Sequence, residues 1–369
     1  MRIPKLLAFA LATFVAALTV SCDAGDPAAP AVAAQADRGG SPGHGAFHPG
    51  HGGGNKRLGV VTYNLYLGAD IARIAAGDPP AALFATVQQT DFATRAVAIA
   101  REIAELRPAL VGLQEAYLWR LQVPGDGPPP IGTPATAPVI DQLALLLAAL
   151  EAEGLRYDVA AVQPQVDVEL PVAEVGGDLR ITDRDALLVR RDVRWQDARG
   201  GSFQAKVPFP VPGLGTLEVP RGWTAVDVKF RGEWLTFATT HLEAFSQLVA
   251  DLQATELAAL LPSSGRVVLT GDLNFASAAA ILEAAGYRDL WARVNPDDPG
   301  FTCCQLEDLS NAESLLDERI DFIMYRGGIQ GRGAELLGDE PGDRIDGLWP
   351  SDHAGVFGLL RLVDPKFMR

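Results

Sequence analysis

Two hydrophobic periods alternate along the chain from residue 57 onward. Short apolar runs bounded by Gly, Pro or Asp read as strands: LGVVTYNLYLG at 58–68, ALVGLQEA at 109–116, YDVAAVQ at 157–163 and RDALLVRRDV at 184–193. TAVDVKFRGEWLTFATTHL, at 224–242, reads as two strands with a hairpin about Arg231-Gly232. RVVLTGDLN, RIDFIMYRG and AGVFGLLRL supply the last three. Between them the period lengthens. TRAVAIAREIAELRP sets Ala96, Ile99, Ile103 and Leu106 at helical spacing and stops at Pro108, and VIDQLALLLAALEAEG is a helix closed by Gly154. FSQLVADLQATELAALL and ASAAAILEAAG are two further helices, and QVPGDGPPPIGTPATAP is a loop. This mixture predicts one α/β domain in which two sheets pack together under an outer cover of helices.

Ahead of the domain the texture differs. Arg2 and Lys5 precede an apolar run from Leu6 to Val20, short for a membrane span and of the length of a signal peptide. Leu18 to Cys22 resembles a bacterial lipobox. The expectation is a lipoprotein-type signal over 1–21, with Cys22 the first mature residue and the chain exported, either membrane-anchored or secreted. An ordinary export signal with an incidental cysteine is the alternative. Residues 23–55 are rich in Ala, Gly and Pro and read as a flexible tether that holds His44, His48 and His51. The domain is expected over 57–365. Export permits a disulfide between the adjacent Cys303 and Cys304, although two small buried thiols are the preferred reading.

Across 369 residues the formal charge is −15. That argues against wrapping nucleic acid with a basic stripe, but not against an enzyme that meets phosphate through a bound cation.

Polar residues at the ends of apolar strands carry the candidate chemistry. In RVVLTGDLNFAS, Asp272 and Asn274 lie two apart, so an extended backbone presents both on one face. Such a pair can hold a water and a phosphoryl oxygen; an Asx-rich turn is the plainer reading. Glu115 follows a fully apolar strand, where it is either a solvated strand end or a ligand for a hard cation. Asn64 ends the first strand and could simply cap a turn. Of five histidines three fall in the tether, leaving His241 and His353, each at a strand end beside a polar group. Asp321 sits inside the apolar strand RIDFIMY, where an unpaired carboxylate is costly. A histidine nitrogen would be a fitting partner, fixing its tautomer.

Together Asn64, Glu115, T-H-L at 240–242, G-D-x-N at 271–274, R-I-D-F at 319–322 and S-D-H at 351–353 resemble the endonuclease/exonuclease/phosphatase superfamily. The likeness runs from about Val60 to Leu362, with every block in the family's order. It implies a four-layer α-β-β-α sandwich with two packed mixed β-sheets. It also implies a metal-dependent phosphoric ester hydrolase. Glu115 would bind Mg²⁺ or Mn²⁺, with Asn64 and Asp352 close to the metal or its waters. Asp272 would orient or deprotonate water, with Asn274 holding it. His241 would donate to a non-bridging oxygen, and His353, backed by Asp321, would act near the scissile phosphate. Arg184 in ITDRDALLVRR is a candidate phosphate clamp or a surface arginine. Asp167 and Glu169 either line the cleft or, as the preferred reading, belong to an exposed loop. Tyr66 replaces the acidic residue that abasic-site enzymes carry two places after the asparagine, which counts against that specialisation.

The implied partner is a phosphodiester, either nucleic acid or a phospholipid headgroup, with nuclease-like cleavage foremost. Sphingomyelinase/phospholipase C-like or phosphoinositide phosphatase activity is the alternative. A binding protein on the same fold that has lost catalysis is the reading of another class. No protein partner is evident. The membrane enters through the expected lipid anchor, and the segment 201–223, with Phe203, Phe209 and Trp223, is either an aromatic membrane hairpin or an ordinary one.

Overall fold

The computed structural model describes residues 57–211 and 215–363. The expected leader, Cys22, the 23–55 tether and the end of the 57–365 domain lie outside the described residues. In chain order the first half comprises β1 (Arg57–Asn64), α1 (Ala72–Ala76), α2 (Pro80–Gln89), α3 (Phe92–Leu106), β2 (Leu110–Gln114), β3 (Leu118–Gln122), β4 (Pro138–Asp141), α4 (Gln142–Ala152), β5 (Tyr157–Val172) and β6 (Gly177–Arg190). The second half comprises β7 (Arg194–Ser202), β8 (Val207–Val211), β9 (Gly215–Val219), β10 (Gly222–Phe230), β11 (Glu233–His241), α5 (Gln247–Leu260), β12 (Val267–Asp272), α6 (Ala276–Ala284), β13 (Arg288–Asp289), α7 (Leu290–Val294), β14 (Asp321–Arg326), β15 (Ile329–Leu337) and β16 (Gly355–Leu362).

Both large sheets are mixed. The first runs β15-β16-β1-β2-β6-β3-β4 with β5 also paired to β6, and the second runs β13-β14-β12-β11-β10-β7. The β1–β2 and β11–β12 pairs are parallel. Helices α3 and α4 bury Ile99, Ile103, Leu146 and Leu150 on the outer face of the first sheet. Helices α5 and α6 bury Ala254, Leu257 and Leu282 on the outer face of the second. The expected α-β-β-α sandwich is the architecture observed.

Period-two alternation decides which residues meet between the sheets. On β1, Val61 and Tyr63 face the helices, whereas Leu58 and Val60 enter the inter-sheet core with Leu110, Phe237, Val268, Ile323 and Tyr325. Further along the same inward faces the residues become Thr62, Gly112, Gln114, Thr239 and Thr270. Thr62 Oγ1 donates to Gln114 Oε1 at 3.2 Å, and Gln114 Nε2 donates across to Thr239 Oγ1 at 2.7 Å. One rung beyond stand Asn64, His241, Asp272 and Asp321. The inward face of the second sheet therefore passes from apolar to neutral polar to ionisable within three rungs.

Two sequence expectations change. QPQVDVELP is not an exposed loop: β5 continues through it, paired with β6 to Val172. Asp167 takes Arg180 and Thr182 as partners, and Glu169 is buried and accepts from the Ala135 N–H. The run resembles a loop because of its polar residues, yet Gln165 and Glu169 are buried. Phe203 and Trp223 belong to the core under α5 rather than to an exposed tip. A separate β8–β9 hairpin lies between them.

Inter-sheet distance is set at Gly112, where a Cβ would overlap Thr270 Oγ1 and press on Thr239. Gly112→Ala should therefore destabilise the fold by about 2 kcal/mol through overpacking. A denaturant midpoint equal to that of the parent would contradict this account.

A second test concerns Glu102 on α3. It accepts from the Tyr63 hydroxyl at 3.3 Å, while its Oε1 is buried without a partner. Burial, and then the Asp343 charge, push its carboxyl well above the ordinary range. The folded state thus keeps a proton that the unfolded chain releases above its ordinary pKa, so this group costs stability as pH rises through that interval. Glu102→Gln should be more stable than the parent at pH 8, and the advantage should shrink toward pH 4. A pH-independent difference between the two unfolding curves would refute it.

Candidate active site

Strand register assembles the second sheet's contribution. His241 on β11 pairs with Asp272 on β12, and Asp272 pairs with Asp321 on β14, so three ionisable residues form one row. From the facing sheet, Asn64 Nδ2 donates to Asp272 Oδ2 at 3.0 Å and to Glu115 Oε1 at 3.2 Å. The Asn64 oxygen accepts from the Tyr66 N–H at 2.9 Å, and Glu115 Oε2 accepts from the Leu67 N–H at 2.8 Å. Glu115 stands just beyond β2 with φ 55°, and Asn274 has φ 58°. Such left-handed backbone is uncommon away from glycine. Asn274 donates its N–H to Asp272 Oδ1 and its Nδ2 to the Leu242 carbonyl, at 3.0 and 2.9 Å.

The chain before β16 adds the last two groups. His353 Nδ1 lies 2.8 Å from Asp321 Oδ2, and its Nε2 is 3.9 Å from Asp352 Oδ1. Ser351 Oγ donates to the Asn64 carbonyl at 2.8 Å and stands 3.4 Å from Asp352 Oδ1, tying this segment to β1. Asp272, Asp321 and His353 bring their polar atoms within 4.8 Å of one another.

Electrostatics separates the two histidines. For His353, burial opposes the proton, but Asp321 and Asp352 outweigh it and hold the imidazolium well above the usual range. For His241, burial and then Arg221 push the other way and keep the ring neutral. Arg221 Nη1 lies 3.1 Å from His241 Nδ1. A guanidinium can only donate, so Nδ1 accepts and the proton resides on Nε2, 3.5 Å from Asp272 Oδ2. Asp272 is pushed up to about 7, by burial and then by Asp321. Asp352 is also pushed up to about 7, by burial and by Glu115, against the pull of His353.

The sequence model of the Endonuclease/Exonuclease/phosphatase family matches residues 61–353, from β1 to the site histidine itself. The chain belongs to that family. Its fold is shared with an endonuclease/exonuclease/phosphatase from Beutenbergia cavernae DSM 12333: 21% identity over 84% of this chain and 73% of that one, with a TM-score of 0.52. Family proteins from Leptotrichia buccalis C-1013-b (13% identity, 82% and 98% coverage, TM-score 0.51) and Bacteroides thetaiotaomicron (19%, 84% and 99%, 0.50) are similar at the same level. Comparison with curated proteins gives no match. Membership in the Endonuclease/Exonuclease/phosphatase family makes the chain a hydrolytic phosphoesterase.

The family generally uses a divalent metal, and the residues present suit one. Glu115 and Asp352 are oxygen donors of the type a hard cation prefers, and Asn64 donates to Glu115. Two buried carboxylates are pushed up to about 7 where acids crowd together, the condition that a dication relieves. As placed, Asn64 turns its N–H toward the carboxylates and so acts as their brace.

Arg184 departs from both readings made of it. Its Nε donates to the Ala116 carbonyl at 2.7 Å and its Nη2 to Asp141 at 2.6 Å, so it secures the chain just past Glu115. The arginine in contact with a site histidine is Arg221, which also pairs with the buried Asp183 at 3.0 Å. Neither was singled out from sequence, although a charge directly before the apolar strand GWTAVDV was the available signal. The sulfurs of the adjacent Cys303 and Cys304 are placed against one another, and Cys303 bridges His353 through the backbone.

Arg95 is the other residue that sequence reading passed over. It falls on the apolar stripe of α3 with Phe92, Ala96 and Ile99, and it is fully buried. It donates to the carbonyls of Thr90 (2.8 Å), Leu65 (2.9 Å) and Pro350 (2.8 Å), joining the loop after Asn64 to the segment before Asp352. Burial lowers its pKa to about 10, so it stays charged at neutral pH. Arg95→Met removes a costly buried charge but orphans three carbonyls. At about 1 kcal/mol each, the lost bonds should dominate and destabilise the protein by about 3 kcal/mol. Thermal or chemical unfolding reads this directly, and a neutral or stabilising result would mean the desolvation cost wins.

Proposed function

We propose that the chain is an exported, divalent-cation-dependent phosphodiesterase that cleaves nucleic acid. The observation that carries the reading is the buried His353–Asp321 pair at 2.8 Å, set beside Asp272 and held in register with it. A carboxyl with a pKa near 7 is suited to take a proton from water at neutral pH, which is the role assigned to Asp272. Asn274 holds the carboxylate by its N–H and orients the attacking water. His353, kept protonated by Asp321, gives positive charge and a proton at the scissile phosphate. His241, neutral and with its proton on Nε2, donates a hydrogen bond to a non-bridging oxygen. Glu115, braced by Asn64, and Asp352 would hold the cation, which when bound neutralises phosphate charge. The signal-like leader supports export, since residues 1–21 have the charge and length pattern of one.

The deciding experiment offers DNA, RNA, sphingomyelin and a phosphoinositide to the purified protein in Mg²⁺ or Mn²⁺, with and without chelator. Cleavage of nucleic acid should require the metal. His353→Ala should lower turnover by about a thousandfold with an unchanged circular dichroism spectrum. Preferential hydrolysis of a lipid substrate would transfer the same site to the phospholipase C-like reading. Inactivity on every substrate, or full activity of the variant, would sink the proposal.

A further inference from the structure

Beside the catalytic row lies a solvent-open cavity with about 670 Å³ of non-atom space, counting the part open to solvent. Its walls are apolar and come from separate elements: Ile74 from α1, Val168 and Leu170 from β5, and Ile181 from β6. Val219, at the end of the β8–β9 hairpin, lines it as well. These side chains sit above the apolar cluster around Trp119, so the cavity is a gap left over an otherwise closed core.

One end of the cavity is different in kind. Asp183 and Arg221 line it there, with 1% and 8% of their surface exposed. Arg221 Nη1 is taken by Asp183 and His241, but its Nε is buried without a partner, as is Asp183 Oδ1. A buried N–H left unbonded costs on the order of 1 kcal/mol or more, and native structures rarely keep one without a use. Through His241 this guanidinium is one side chain away from Asp272. Apolar walls that converge on a few polar groups are the usual form of a small-molecule pocket.

We infer that this cavity is a specificity pocket for an apolar substituent, aryl or short alkyl, carried on the phosphoester. Arg221, which lines the polar end, supplies positive charge toward a phosphoryl oxygen at the junction between that substituent and the phosphorus. The inference rests on the phosphodiesterase reading for its choice of ligand, and it adds the part of the substrate that the catalytic row does not contact. A substituent with no apolar body would leave the pocket to water.

Phosphonates test it without requiring turnover. In isothermal titration of the full chain with Mg²⁺ present, phenylphosphonate should bind at least about tenfold tighter than methylphosphonate, the discrimination a fitted apolar pocket supplies for a few carbons. Val168→Trp, which fills the cavity from β5, should erase that preference. Should Val168→Trp fail to fold, Ile71→Trp, at a lining residue just before α1, fills the cavity instead and carries the same expectation. Equal binding of the two phosphonates, no binding of phenylphosphonate, or a preference that survives the folded tryptophan variant would each overturn the assignment. Because binding is read by heat, failure of every ester to turn over would remove the diesterase reading while leaving this result to stand on its own.

Discussion

The hydrogen bond from Asn64 to Asp272, 3.0 Å long, crosses from one sheet to the other, and the site exists only while the sheets are close enough to make it. Their approach is fixed one rung deeper, where Gly112 leaves no room for even a methyl group against Thr270. There Thr62, Gln114 and Thr239 form a neutral polar seam. That seam separates an apolar interior, where an ion would be prohibitively costly, from the charged rung at the mouth. A one-residue slip of any of these strands would turn its polar end outward and replace it with core side chains.

Charge compensation is the second demand. Asp272, Asp321, Asp352 and Glu115 gather in a small volume, and the protein meets them with His353 and with N–H donors from Asn64, Asn274 and Leu67. Two buried arginines act at the margins. Arg95 fastens the loops that bear Asn64 and Asp352, whereas Arg221 sets the tautomer of His241. Arg221 helps to keep His241 neutral, whereas Asp321 and Asp352 keep His353 protonated, so the two histidines differ by one charge at neutral pH.

Much of this was legible in the chain itself. The alternation of apolar strands with helical stripes pointed to the layered architecture. Asn64, Glu115, His241, Asp272, Asn274, Asp321 and His353 each broke an apolar pattern at a strand end, and the fold brings them to one mouth. What escaped reading did so for physical reasons. Arg95 and Arg221 are cations whose partners lie far along the chain, so no local pattern marks them as buried. The run through Asp167 and Glu169 looked like a loop because it is rich in polar residues, whose partners lie far along the chain, across β6 and at Ala135. Short elements such as β3, β4 and β13 have too few residues for a period to emerge and are held by their neighbours.

Glu115 carries a cost that bears on how this scaffold would respond to selection. Its φ of 55° is one that glycine adopts freely and glutamate does not, a local strain on the order of 1 kcal/mol. Glycine there would relax the backbone, but it would delete the carboxylate that accepts from Asn64 and from the Leu67 N–H. On the proposed reading, in which Glu115 holds the cation, variants gathered for a relaxed backbone at this position would be inert. A useful catalyst from this chain has to be selected on turnover and heat together, because at this position the two pull in opposite directions.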